Sequence, residues 1–205
     1  MIPMRPKLIH HRYYIFVTLL AACLTYSQFS IAANSPDDFI RTVGKSAIDS
    51  LTDKSISQDE RENRFRKILQ AKFQLKLLAR FTLGRFWRRA SEAQQKEYTR
   101  LFEDFIVKAY AARFADYNGE NFVVGKIRNI NERDNLVQSE VVLTDGRKIP
   151  VHWRVRNGEK FKIVDVLVEG VSMAITQRDE FSAIISQNGG KIDGLLAALR
   201  KKTGK

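Results

Sequence analysis

Apolar residues recur with a helical period up to about residue 118 and with a period of two after residue 120, so the chain divides into a helical and a sheet-forming part. Between Pro36 and Leu51, Phe39, Ile40, Val43, Ala47, Ile48 and Leu51 fall on one stripe, which predicts an amphipathic helix. Ser57 and Glu60 have the spacing of a capping box and predict a second helix start before Phe65, Ile68 and Leu69. From Phe73 to Trp87 the chain carries Leu75, Leu77, Leu78, Phe81, Leu83 and Phe86, with Lys76, Arg80 and Arg85 among them and Arg88 and Arg89 following, a pattern that predicts a helix broken near Gly84. Ser91 and Gln94 form a second capping box, and the helix after it should run to about Phe114. It carries Tyr98, Leu101, Phe102, Phe105, Ile106, Ala109 and Tyr110 on one broad stripe. Such a stripe reads first as core and second as the wall of a ligand cavity.

Four strands are predicted beyond Asn121: Phe122 to Arg128, Leu136 to Leu143, Ile149 to Arg156 and Phe161 to Val168. Asp145-Gly146 and Asn157-Gly158 are hairpin turns. The third strand alternates cleanly, with Ile149, Val151, Trp153 and Val155 on one face and His152, Arg154 and Arg156 on the other. In the fourth, Val164, Val166 and Val168 should share a face opposite Phe161, Ile163 and Leu167. Glu169-Gly170 then leads into a helix from Val171, with Ser172 as a local cap, and a short helix follows from Lys191 to Lys202. The predicted class is α+β, with helices packed on a curved, mainly antiparallel four-stranded sheet.

The first 32 residues stand apart from this pattern. Arg5, Lys7 and Arg12 precede an apolar run from Tyr13 to Leu24, and Ser30-Ile31-Ala32 offers small residues for a peptidase. Residues 1–32 are therefore expected to be a signal peptide and residues 33–205 a single domain. Leu20-Ala21-Ala22-Cys23 also has the pattern at which lipoproteins are cut and acylated, so a lipid anchor at Cys23 is the alternative. Once the leader is removed no cysteine remains, and the chain keeps 32 basic residues against 23 acidic ones. For an exported protein this excess points to an anionic membrane or an acidic partner and away from nucleic acid.

Candidate chemistry is sparse. His152 is the only histidine outside the leader, which argues against multi-histidine metal sites and leaves no Cys-His pair. There is no glycine-rich phosphate loop. Asp165, in an otherwise apolar strand, needs partners if it is buried. The structural reading, that it fixes the strand-to-helix junction, is preferred to a small enzyme using an Asp165 and His152 cavity.

Three separated motifs, DVLVEGVSM from Asp165 to Met173, Ile192-Asp193-Gly194-Leu195, and Leu83-Gly84 followed by Phe86-Trp87, closely resemble the MlaC family of periplasmic phospholipid-binding proteins. The resemblance implies an NTF2-like portion, an apolar cavity filled by acyl chains and no cofactor beyond the phospholipid cargo. It also implies partners: an outer-membrane lipoprotein complex and an inner-membrane ABC transporter with a lipid-binding ring, acting to maintain outer-membrane lipid asymmetry. It favours a soluble periplasmic protein over one anchored at Cys23. Leu83, Trp87, Phe102, Phe105, Ile106 and Tyr110 are the candidate lining residues from the helices. Val142, Val151, Trp153, Val164, Val166, Val168, Val171 and Met173 are those from the sheet and the segment after it. Arg128, Arg154 and Arg156 are candidates for a headgroup or partner contact. A ligand-free adaptor of a membrane complex is the remaining alternative.

Overall fold

The computed structural model describes residues 35–205, and the expected leader with Cys23 lies outside the described residues. Ser35 caps helix α1 (Pro36–Leu51) by accepting from the Asp38 N–H at 3.4 Å, and Pro36 occupies the first turn, where its missing N–H has no partner to lose. Ser57 likewise caps α2 (Gln58–Lys72), accepting from the Glu60 N–H at 3.2 Å. The Glu60 carboxylate, however, turns to Arg64 at 2.7 Å, so only one half of the expected capping box forms. Helix α3 (Leu75–Leu83) stops at Gly84, whose φ of 58° takes the chain into a tight 3-10 segment (Gly84–Arg89). The break expected near Gly84 is there. At Ser91 the capping box is complete and opens α4 (Glu92–Ala111).

The second part is a five-stranded antiparallel meander: β1 (Asn121–Asn129), β2 (Asp134–Val142), β3 (Lys148–Arg156), β4 (Lys162–Val168) and β5 (Val171–Ser172), paired in that order. The fifth strand corrects the four-strand expectation. Glu169 (φ 51°) and Gly170 (φ 84°) make a two-residue hairpin loop, in which both positions have the positive φ of a type I′ turn. Val171 and Ser172 then pair back with Val168 and Leu167. Helix α5 (Met173–Gln187) therefore starts two residues later than expected, still capped by the Ser172 hydroxyl, which accepts from the Ile175 N–H at 3.1 Å. Helix α6 (Ile192–Thr203) ends at Gly204 in the left-handed region.

A bulge corrects the face assignment in β4. Arg154 pairs with Asp165 but Val155 pairs with Ile163, which leaves Val164 as an extra residue. One extra residue resets the two-residue period. As a result Phe161, Ile163 and Val166 belong to one apolar cluster, while Val164, though buried, belongs to neither core cluster.

Those clusters are separate. One is wholly helical, built on Leu83, Phe86, Tyr98, Leu101, Phe102, Phe181 and the Leu195, Leu196 and Leu199 stripe of α6. Its buried Tyr98 hydroxyl is satisfied by Thr82 Oγ1 at 2.7 Å. The other joins Phe39, Ile40 and Val43 of α1 to Val124, Val137, Val155 and Ile163 on one face of the sheet. Helices α3 and α5 reach the sheet at β4.

Candidate functional site

A cavity of about 220 Å³ opens between α1 and the start of β1. Ile48, Phe122 and Val124 give it apolar walls, and Arg41, Lys45, Asp49, Tyr117, Glu120 and Asn121 complete the lining. The two cations at this mouth are compensated, Arg41 by Asp37 at 3.6 Å and Lys45 by Asp49 at 2.6 Å. Sequence reasoning missed this opening. Ile48 on the α1 stripe and the Phe122 and Val124 alternation were legible, but not that the two would meet.

Phe122 links this cavity to the residues that were expected to matter. Its ring meets Trp153 edge-on, with centroids 6.1 Å apart. Trp153 pairs with Val166 and Val151 with Val168, so these four residues share the face that packs on α1. All four are only half-buried. The Trp153 indole N–H donates to the buried Ser139 hydroxyl at 2.9 Å, and that hydroxyl donates in turn to the Val151 carbonyl. A polar atom on an apolar strip is thereby satisfied without water.

Phe122 lies this close to α1 because position 44 has no side chain. A Cβ at Gly44 would stand 2.5 Å from two of the ring carbons. Gly44→Ala should therefore push the ring aside. It is expected to lower stability by about 1–3 kcal/mol despite the better helix propensity of alanine, and to shift Trp153 fluorescence. Thermal unfolding and emission spectra of the variant check both effects.

The other expected lining residues are scattered. Leu83 and Phe102 are buried in the helical cluster, with Trp87, Phe105 and Ile106 packed against it. Tyr110 is half-buried under the Arg113 guanidinium at 5.2 Å. Val142 pairs with Lys148 while Val141 pairs with Ile149, which places Val142 on the opposite face of the sheet from Val151 and Trp153. Val171, at the sheet edge, is 55% exposed, and Met173 is half-buried at the first position of α5.

The expected basic contacts are also divided. Arg128 is exposed on the edge strand β1. Arg154 and Arg156 instead converge on Asp134, which is 1% exposed, each reaching a carboxylate oxygen at 2.7 Å. The Arg156 hydrogen bond, assisted by Arg154 and opposed by burial, holds the Asp134 carboxyl below the usual carboxylate range. Both arginines thus serve a buried anion first, while each keeps about a third of its side chain exposed.

A profile described as "MlaC protein" matches residues 41–201. The chain belongs to the MlaC family. It is 23% identical over 110 residues to toluene tolerance protein ttg2D of Pseudomonas putida, an alignment spanning 53% of this chain and 51% of that protein, about half of each. A solved structure of a phospholipid-binding protein from Ralstonia solanacearum, in complex with a phospholipid, shares the fold with a TM-score of 0.74. That match has 18% identity and covers 84% of this chain and 97% of the other.

In this MlaC chain the DVLVEGVSM run is the second half of β4, the tight hairpin, β5 and the first residue of α5. Asp165 holds it together. Its carboxylate accepts from the Val166 N–H at 2.8 Å, the Ser172 hydroxyl at 2.6 Å and the Ala174 N–H at 3.1 Å. Backbone and serine are thus its partners at the strand-to-helix junction. His152 Nδ1 accepts from the Ser139 N–H at 3.3 Å. The two side chains thus make different local bonds, Asp165 at the strand-to-helix junction and His152 across to β2.

Proposed function

We propose that this chain is a phospholipid carrier of the periplasm, moving lipid unchanged between an outer-membrane lipoprotein complex and an inner-membrane ABC transporter with a lipid-binding ring, and so maintaining outer-membrane lipid asymmetry. The observation that carries the reading is the half-buried strip of Val151, Trp153, Val166 and Val168, continuous through Phe122 with an opening at α1. A packed core has no reason to leave such a strip partly accessible, whereas a surface that takes acyl chains has one. Family membership and the phospholipid held by the Ralstonia solanacearum protein support the same reading.

Energetics sets the demand on such a carrier. Two chains of about 16 carbons at ~0.8 kcal/mol per CH₂ put roughly 25 kcal/mol against free passage through water. The cavity of about 220 Å³ is below the ~300–1,000 Å³ of ordinary ligand pockets, so lipid entry requires α1 and the sheet to part around Phe122. Opening at this seam is favoured by its separation from the helical core, which can stay intact. Membrane complexes on either side would act by biasing that opening.

Among the described residues no helix is long and apolar enough to cross a membrane. The leader is proposed to be cut near Ala32, releasing residues 33–205.

Organic extraction of the purified, folded protein, followed by mass spectrometry, tests the carrier reading. Phospholipid in stoichiometric amount is the expected result, and its absence from a folded sample removes the reading. Intact mass of the same preparation should match a chain beginning near Ala33, and an acylated Cys23 would make it a tethered carrier.

A further inference from the structure

Between Glu62 and Glu92 the chain has nine basic residues and no acidic one. Arg64 and Arg66 are drawn to Glu60, Glu103 and Asp104. Arg80, Arg85, Arg88 and Arg89 are exposed and enter no ion pair among the described residues. Three large apolar side chains on the neighbouring elements are also exposed: Phe81 on α3 at 40%, Ile175 on α5 at 46% and Val171 on β5 at 55%.

Contacts join α3, the 3-10 segment and α5 along this face, and Val171 and Ile175 lie at the β5–α5 junction leading into it. Arg178, one turn beyond Ile175, sets its guanidinium over the Phe81 ring at 5.2 Å. Its aliphatic stem lies beside Gly84, 3.5 Å from where a Cβ would stand. Arg85 follows directly, and with Arg89 it flanks the Phe86 ring at 5.0 and 5.6 Å. Arg178 is also 3.3 Å from the Asp179 carboxylate.

We propose that this face docks on the surface of an anionic bilayer, with Phe81, Val171 and Ile175 entering the acyl boundary and Arg85, Arg88 and Arg178 lying at the level of the lipid phosphates. An acidic protein surface would satisfy the cations but give the three apolar side chains no partner. The boundary of an anionic bilayer satisfies both, because phosphate and hydrocarbon lie in adjacent layers. Guanidinium groups suit that plane, since each can hold phosphate oxygens in pairs. The face lies on α3, the 3-10 segment and the β5–α5 junction, away from the α1–β1 opening, and does not depend on what the chain carries.

Sedimentation of the purified protein with vesicles of equal phosphatidylglycerol and phosphatidylcholine, and with phosphatidylcholine vesicles alone, tests the proposal. Wild-type protein should bind the anionic vesicles only, and less as salt rises. R85E/R88E should lower that binding at least about tenfold. Ile175→Asp should lower it several-fold with unchanged melting temperature and unchanged extractable phospholipid. Equal binding by R85E/R88E and wild type, or equal wild-type binding to both vesicle types, overturns the proposal. If wild type binds neither vesicle while R85E/R88E slows lipid exchange with membrane complexes, the face belongs to an acidic protein and the proposal is equally overturned. A wild-type protein that binds anionic vesicles but yields no lipid on extraction would sink the carrier reading alone.

Discussion

Val166→Glu should leave the protein folded and empty of phospholipid. Val166 pairs across the sheet with Trp153 and packs at the margin of the α1–sheet cluster, where it is only half-buried. A carboxylate placed there reaches water when no acyl chain covers it, and loses that water when one does. Desolvating an unpaired charge costs several kcal/mol, and every 1.4 kcal/mol is a factor of ten in affinity. Bound phospholipid should therefore fall below about a tenth of the wild-type amount. The fold loses some apolar contact but acquires no fully buried charge, so about 1–3 kcal/mol of stability is at risk, or roughly 2–4 °C of melting temperature per kcal/mol. Val166→Ala, which removes volume without charge, should keep its lipid. Extraction and melting curves on the same samples decide the matter. A folded glutamate variant with full cargo, or one that cannot fold, would place the lipid elsewhere.

R154A/R156A should be the most damaging change to stability, at about 3–5 kcal/mol, because it strips a nearly inaccessible Asp134 of both partners. The pH dependence carries a sharper signature. In the wild type the Asp134 carboxyl is held low, chiefly by the Arg156 hydrogen bond, so its contribution is complete above the unfolded value of about 3.9 and is lost as pH falls through the folded value. In the double variant both lowering partners are gone, and the folded value moves back up to or beyond the unfolded one. The deficit at neutral pH should then shrink as acid protonates Asp134. Asp104, also held low because Lys205 and Arg66 outweigh its burial, is common to both proteins and cancels in the comparison. Urea midpoints from neutral pH to below pH 4 should therefore converge for wild type and variant. Adding Asp134→Asn should recover more than half of the loss at neutral pH. Parallel curves would mean that the pair contributes through packing alone.

The Asp134 arrangement also shows where reading the chain ran out. Asp134 stands at the start of β2 and its Arg154 partner is 20 residues away, so nothing local marks them as a pair. Read without that register, Arg154 and Arg156 look like a free basic edge. The same limit hid the cavity, whose walls come from α1 and β1. It also hid the β4 bulge, since Phe161 to Val168 is apolar at nearly every position and no alternation is broken when Val164 drops out of register. The β5 hairpin was missed for another reason. Glu169 takes a positive φ without being glycine, and two ladder residues are too short a run to register as a period.

By itself the sequence determined the helices and the first four strands in their order, the capping residues at Ser57, Ser91 and Ser172, the inward stripe of α1, the clean alternation of β3 and the family likeness carried by three short motifs. These features arise from backbone geometry within one or two turns, and residues close in sequence report on it directly. The tertiary structure alone decided which face of β4 meets α1, that Phe122 closes onto Gly44, and that Arg154 and Arg156 converge on Asp134. Those outcomes depend on strand register and on the closure of long loops, where a shift of one residue exchanges every inward side chain for an outward one.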